Sequence, residues 1–427
     1  MSNRFIAHSA LAKRNLLIQD QDLSENCPVL CNEDRKGAEL MIRIPTWLWK
    51  PLVRGGVVFA AVVLAVSIYG DFIQAQPAAT VAPKSGEELY VAACSSCHGF
   101  DGKGVSQQQV GFSQPLKSFT NYNFATREPE AEWVAVAHEG GPVRGFSRLM
   151  PAFGDALTLD ELTLIARYIR TFCPDKAWPR GDLNLPRAMF TEKAFPEDEV
   201  VYTAGFNAEG SGNFSNELIF EKRFGARNQF ELVIPFDWKE QIIDPDGGSD
   251  WNGGVGDIAL GVKRAFYHSL EKGTIFAATA EIILPTGNED RGFGKGTAIF
   301  EPFISYGQSL PAEFFLHSQA GLELPFDTDK AGNEAFWRVA LGRAFNEGMF
   351  GRVWAPMLEF LSARELESGA SISWDVVPQI HFTLNARQHI MMNVAVRVPL
   401  TESDVRDTQI LVYLLWDWFH GGFFEGW

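Results

Sequence analysis

From Val200 to the C-terminus, hydrophobic and polar residues alternate with a period of two, the pattern of strands with one apolar and one polar face. In SWDVVPQIHFTL, Trp374, Val376, Pro378, Ile380 and Phe382 share one face, while Asp375, Gln379, His381 and Thr383 share the other. Met392, Val394, Val396 and Val398 oppose Asn393, Ala395 and Arg397 in the same way, as do Ile258, Leu260 and Val262 against Ala259, Gly261 and Lys263. About twelve such runs begin near 200, 214, 229, 257, 274, 298, 313, 334, 350, 371, 389 and 408, each on the order of ten residues long. Upstream the period changes. Ser85-x-x-Glu88 and Thr158-x-x-Glu161 are capping boxes that predict helix starts near 85 and 158, and Leu162, Ile165, Ile169 and Phe172 form one buried helical stripe. Pro174, Pro179, Pro186 and Pro196 break regular structure, so residues 174–198 read as a linker.

The connections separate a soluble sandwich from a membrane barrel. The first, third and fifth are long or polar (NAEGSGN, KEQIIDPDGGSDWNGG, TGNEDRGFGKG), whereas the second, fourth and sixth are short (GARN, HSLEKG, SLPA). Antiparallel outer-membrane barrels show this asymmetry, with short periplasmic turns, longer external loops and a continuously apolar outer face. The chain also ends in FFEGW, and a terminal aromatic on the last strand resembles the assembly signal of such barrels. Residues 199–427 are therefore expected to form an antiparallel transmembrane β-barrel of about twelve strands.

The first 84 residues read as delivery. Gly55–Gly70 is almost wholly apolar, follows Arg43, Lys50 and Arg54, and precedes Ile73 and Ala75, which suit the small-residue cleavage rule. Residues 41–75 are expected to be a signal peptide with translation starting at Met41, residues 1–40 a mis-assigned or dispensable extension, and 76–84 a spacer. The competing reading is an uncleaved inner-membrane anchor. Both place the rest of the chain beyond the inner membrane.

A formal charge of −16 and a pI of about 5.0 argue against nucleic acid, whose phosphates need a basic partner surface. Five cysteines in 427 residues are too few for a disulfide scaffold. Two of them fall in GEELYVAACSSCHGFDGKG, where Cys94, Cys97 and His98 make C-x-x-C-H. In that spacing two thiols add across the haem vinyl groups and the adjacent imidazole reaches the iron, which points to one covalently bound c-type haem. A redox dithiol or half a zinc site would leave His98 without a role, and no second Cys/His pair completes a zinc site. Met150, in RLMPAFGDALT, sits before the capped helix at 158 and is the expected sixth ligand; His138, in WVAVAHEGG, is the competitor. Cys27, Cys31 and the isolated Cys173 are given no function.

Together GEELYVAACSSCHGFDGKG, AHEGGPVRGFSRLMPAFGD and LTLDELTLIARYIR resemble a class I monohaem cytochrome c over residues 85–173, about a fifth of the chain. The resemblance implies a small all-helical haem domain, thioethers at Cys94 and Cys97, axial ligands His98 and Met150, and packing of Gly86 and Tyr90 on the last helix near Tyr168; Pro142 resembles a residue of the loop leading to the methionine. The fused, multidomain architecture is similar to the cytochrome-porins of iron-oxidising bacteria, although the haem domain here is fuller and the barrel narrower. GDIALGVKR and EIILPTGN are more weakly similar to outer-membrane channels of the phenol-degradation type.

A haem domain about 30 Å across is too large for a twelve-stranded lumen and is expected at its periplasmic mouth. The apolar band is roughly 25 Å tall, too thick for one haem below it to reduce or oxidise an external solid directly. The leading expectation is an electron carrier, not an enzyme. Its outer-membrane barrel brings a small donor or acceptor to the haem, which also serves periplasmic redox proteins. The alternatives are a small-molecule channel with a tethered cytochrome, and a soluble periplasmic haem enzyme with a β substrate domain. The inward acids Glu231, Glu281, Glu301 and Asp375 favour a cation path, against ordinary lumen polarity with salt bridges to Arg338 and Arg397. No catalytic triad, phosphate loop or flavin fingerprint is visible, and electron transfer needs none.

Overall fold

The structure is a computed structural model that describes residues 84–112, 115–210, 212–242 and 249–417. The expected extension, signal peptide and terminal FFEGW, together with Cys27 and Cys31, lie outside the described residues.

Among the described residues six α-helices precede the strands: α1 Gly86–Ala93, α2 Ser95–His98, α3 Gln107–Val110, α4 Tyr122–Ala125, α5 Glu130–Glu139 and α6 Leu159–Arg170. Both expected capping boxes are formed, with Glu88 N–H donating to Ser85 and Glu161 N–H to Thr158. Helices α1 and α6 cross where Gly86 has no side chain, since a Cβ there would lie 2.3 Å from the Leu164 carbonyl oxygen. Around that crossing Leu89, Tyr90, Leu162, Ile165 and Ile169 form the core, and Tyr90 meets Tyr168 and Phe172 at ring distances of 5.3 and 5.5 Å.

The second part has strands β1 Glu199–Asn207, β2 Asn213–Phe224, β3 Asn228–Ile242, β4 Ser249–Val255, β5 Ala259–Ser269, β6 Thr274–Ile283 and β7 Ile299–Ser309. It continues with β8 Phe314–Pro325, β9 Glu334–Arg343, β10 Phe345–Asn346, β11 Val353–Glu365, β12 Ser373–Thr383, β13 Ile390–Pro399 and β14 Gln409–Asp417. Twelve of them close an antiparallel barrel, because β9 pairs with β11 and β14 returns to β1 from Glu199↔Asp417 to Asn207↔Gln409. The twelve begin within three residues of the positions expected from alternation. The two extra pieces, β4 extending the β3 hairpin and β10 beside β11, sit at opposite ends of the barrel and were read as loop.

The alternation sorts as expected. Asp375, Val377, Gln379, His381 and Thr383 turn inward on β12, and so do Asn393, Ala395 and Arg397 on β13. Outward stand Phe206, Phe266, Ile304, Leu341, Phe360 and Leu414. Trp354, Trp416 and Tyr267 lie outward where their strands meet the short turns, and Trp238, Trp337 and Trp374 where they meet the long loops. Two aromatic girdles around an apolar band are what a lipid bilayer with polar faces requires, and an outer-membrane location follows.

The segment read as a linker, 174–198, runs into the barrel: nearly all of Leu183–Asp198 is buried in the lumen as a plug. Its prolines do interrupt regular structure, but its orphaned amides find acceptors on the barrel wall. Met189 N–H donates to Gln379 Oε1 at 2.9 Å, Glu192 N–H to Gln319 Oε1 at 3.2 Å and Phe190 N–H to the Glu359 carboxylate at 3.2 Å. Charges are matched as well: Lys263 pairs with Glu192 at 2.7 Å, and Arg187 with Glu199 and, at 3.0 Å, with Glu221.

Candidate functional site

The C-x-x-C-H segment is held by the backbone on both sides. Cys94 caps α1 through its N–H to Tyr90 O at 2.8 Å, and α2 ends at Gly99, whose φ of +74° favours glycine. Tyr90 Oη donates to Gly99 O at 2.7 Å, while Gly104 N–H donates to His98 O at 2.8 Å and Val105 N–H to Cys97 O at 2.9 Å. The turn is thus fixed by the protein's own hydrogen bonds. Cys94 and Cys97 are free thiols that do not pair with each other.

Cys94, Cys97, His98 and Met150 all line one cavity of about 340 Å³, within the usual range for a bound cofactor. Its apolar wall includes Leu116, Phe119, Trp133, Phe153, Ile165 and Ile169. The His98 ring stacks on Phe119 at 4.5 Å, and its Nδ1 is buried without a hydrogen-bond partner. Burial pushes the imidazole pKa down to about 4, so it is neutral at neutral pH, the protonation state a metal ligand needs. Met150 is placed by its loop: Gly141 N–H donates to Met150 O at 3.0 Å and Met150 N–H to Ser147 O at 3.1 Å. Gly141 permits this approach, since a Cβ there would meet Ser147 O at 2.2 Å.

The other sequence candidates lie elsewhere. His138 does not line the cavity; its Nδ1 lies 2.8 Å from Glu139 and its ring contacts Phe350. Cys173 is buried and donates to Phe119 O at 3.2 Å, which ties the end of α6 behind the His98 stack. Two cavity residues had no signal in the sequence, namely Arg387 and His389 of the turn Leu384–His389 between β12 and β13. This short-turn end of the barrel carries the helical domain. Arg387 Nη2 donates to Gly145 O at 3.0 Å, Gln388 Nε2 to Glu132 Oε1 at 3.1 Å, Arg144 Nη1 to Phe350 O at 2.6 Å and Arg227 Nε to Ala177 O at 2.9 Å.

In the lumen, Asp375 is paired with Arg397 and Arg406, each at 2.5 Å, as ordinary internal salt bridges would be. Arg338 instead donates to Gln319 Oε1 and the plug carbonyl of Phe190. The remaining acids are arranged differently. Glu231 opposes Gly261, Gly261 opposes Glu281, Glu281 opposes Glu301, Glu323 opposes Glu334, and Glu334 opposes Glu365. These carboxylates follow one hydrogen-bonding row around the wall, and strand tilt carries such a row along the barrel axis. Both oxygens of Glu301 are buried without a hydrogen-bond partner.

The donor set fits a c-type haem: two unpaired thiols, a neutral imidazole with an orphaned nitrogen and a thioether converge on one apolar cavity. Comparison agrees. Residues 81–169 match the family described as "Cytochrome C oxidase, cbb3-type, subunit III", and residues 199–397 match "Putative MetA-pathway of phenol degradation". No curated protein matches the chain. Among solved structures, the COG4313 outer membrane channel from Pseudomonas putida F1 is similar at 12% identity and a TM-score of 0.39, covering 54% of this chain and 99% of the channel. The KdgM porin in complex with disordered oligogalacturonate (9%, TM-score 0.33, covering 52% and 99%) and the NanC porin (8%, TM-score 0.35, covering 52% and 100%) are also similar. A helical segment that matches a cytochrome c family thus precedes a closed twelve-stranded antiparallel barrel with two aromatic girdles.

Proposed function

We propose that this protein is an outer-membrane electron carrier with one haem c, joined to Cys94 and Cys97 and ligated through iron by His98 and Met150. It exchanges electrons between a small external donor or acceptor and periplasmic redox proteins. The carrying observation is that the cavity lined by all four residues opens against the short-turn end of the barrel, where Arg387 and His389 close it. Short turns lie on the periplasmic side of such barrels, so this arrangement supports a periplasmic haem domain.

When bound, the haem supplies a one-electron couple; the protein supplies the environment. The neutral His98 imidazole and Met150 thioether favour ferrous iron, and the aromatic and aliphatic wall keeps water from the ligands. The plug favours a carrier over a freely conducting channel, because Leu183–Asp198 occupies the lumen and is bonded to its wall.

The test is expression with c-type haem maturation, outer-membrane fractionation, and haem-stained gels of boiled and unboiled samples. Haem in the detergent-extracted outer membrane with heat-modifiable mobility is expected. Haem in the soluble periplasmic fraction would exclude the membrane carrier and leave the soluble haem enzyme.

A further inference from the structure

At Arg264 the lipid-facing wall of the barrel carries a charge that the protein does not neutralise. On β5 the inward residues Gly261, Lys263 and Ala265 alternate with Val262, Arg264 and Phe266, which stand outward and exposed. Arg264 donates from Nη1 to the neutral Asn228 Oδ1 at 2.8 Å and forms no ion pair among the described residues. Lys222, an outward cation of neighbouring β2, is already held by Asp198 at 2.8 Å. Strand β5 runs toward the short turns, so Arg264, three residues before Tyr267, lies on the hydrocarbon side of that girdle. A cation in such a place is costly unless an anion reaches it.

The wall beside Arg264 is recessed. Its cross-strand partner on β6 is Ala278, and Val262 opposes Ala280, so two exposed alanines follow one another on the outer side of β6. Val262 flanks them on β5, and Ile304, the partner of Ala278, flanks them on β7; both are exposed. Toward the short turns, Phe266, Tyr267 and Tyr306 close on Phe276 at ring distances of 6.0, 6.1 and 4.6 Å. A cation thus stands beside a shallow apolar groove with an aromatic floor, at the edge of the hydrocarbon layer.

We infer that Arg264 and this groove bind one phospholipid of the periplasmic leaflet, its phosphate on the guanidinium and an acyl chain along Ala278 and Ala280. Short turns mark the periplasmic side of such barrels. A guanidinium offers a planar fork that matches two phosphate oxygens, and only one Arg264 donor is committed to the protein. The occupant is a lipid because the groove is continuous with the apolar band that faces the bilayer, where an acidic protein does not reach.

The test is mass spectrometry of the intact, full-length protein released from detergent micelles and titrated with phosphatidylglycerol, comparing wild type with R264Q, R264K, A278L and A204L. Wild type should hold one lipid more tightly than any further one. R264Q should weaken that binding about tenfold, the low end of what a hydrogen bond to a charged group contributes. R264K keeps the charge without the fork and should lose less. A278L keeps the charge but fills the groove, so it should also weaken binding, whereas A204L, on the outer face of β1, should not. Equal binding by wild type and R264Q would overturn the inference. So would a loss in A204L as large as that in A278L, which would make the lipid part of an unspecific annulus. Displacement by inorganic phosphate would mark a free-anion site, and a preference for lipopolysaccharide would place Arg264 in the outer leaflet; either would overturn it as well. Should R264Q not fold, R264K and A278L carry the same test.

Discussion

The hydroxyl of Thr191, inside the barrel, donates a 2.6 Å hydrogen bond to the carboxylate of Glu359 on β11, which also accepts the backbone N–H groups of Thr191 and Phe190. Gln379 Nε2 donates to the same carboxylate at 2.7 Å. One acid therefore fastens the irregular plug to the wall. In Glu359→Ala the two amides lose their acceptor, at about 1–3 kcal/mol for each buried group, so a loss of about 2–6 kcal/mol is expected. The check is the temperature at which the folded, fast-migrating gel form converts to the unfolded one; an unchanged transition would show that the plug contributes nothing to barrel stability.

The same contacts predict an electrically quiet barrel. Wild-type protein in a planar bilayer should show little steady ion current, and Glu359→Ala combined with Gln379→Ala should show larger or flickering steps. Gln379 Oε1 holds Met189 N–H, so the double variant frees three successive residues of the plug. Stable large steps in the wild type would mean that the plug leaves the lumen in a membrane.

What was legible in the sequence follows from the range of the interactions. Period-two alternation records a local property, which side of a strand meets lipid, and so it located the twelve barrel strands. Capping boxes are equally local and marked α1 and α6. The plug is a different case. Its prolines announced irregular backbone, but the groups that satisfy the amides of Met189, Phe190 and Glu192 lie on β12, β11 and β8, more than a hundred residues away, and nothing in residues 183–198 names them. Arg387 and His389 were invisible for the same reason, since only closure of the barrel brings their turn to the cavity holding Cys94 and Met150.

The α1–α6 crossing gives a sharper mutational prediction. Gly86→Ala places a methyl group 2.3 Å from the Leu164 carbonyl oxygen and 2.9 Å from its carbonyl carbon, and backbone atoms cannot swing aside. The helices must separate, and overpacking of this kind typically costs 1–3 kcal/mol. The Soret band of the loaded protein should bleach at a lower temperature than in wild type, while the barrel's heat-modifiability, which depends on other contacts, should not change.

The choice between Met150 and His138 can be decided by ligand-specific spectra. Met150 lines the cavity with His98, whereas His138 points to Glu139 and packs against Phe350. In Met150→Ala the thioethers at Cys94 and Cys97 remain, so covalent haem staining should persist. The iron–sulfur absorption band should vanish and the potential should fall, because a thioether favours ferrous iron. His138→Ala should keep the band and shift the potential little, losing only the contacts with Glu139 and Phe350. The reverse pattern, a surviving band in Met150→Ala or a lost one in His138→Ala, would mean that the loop from Gly141 to Met150 rearranges when haem binds.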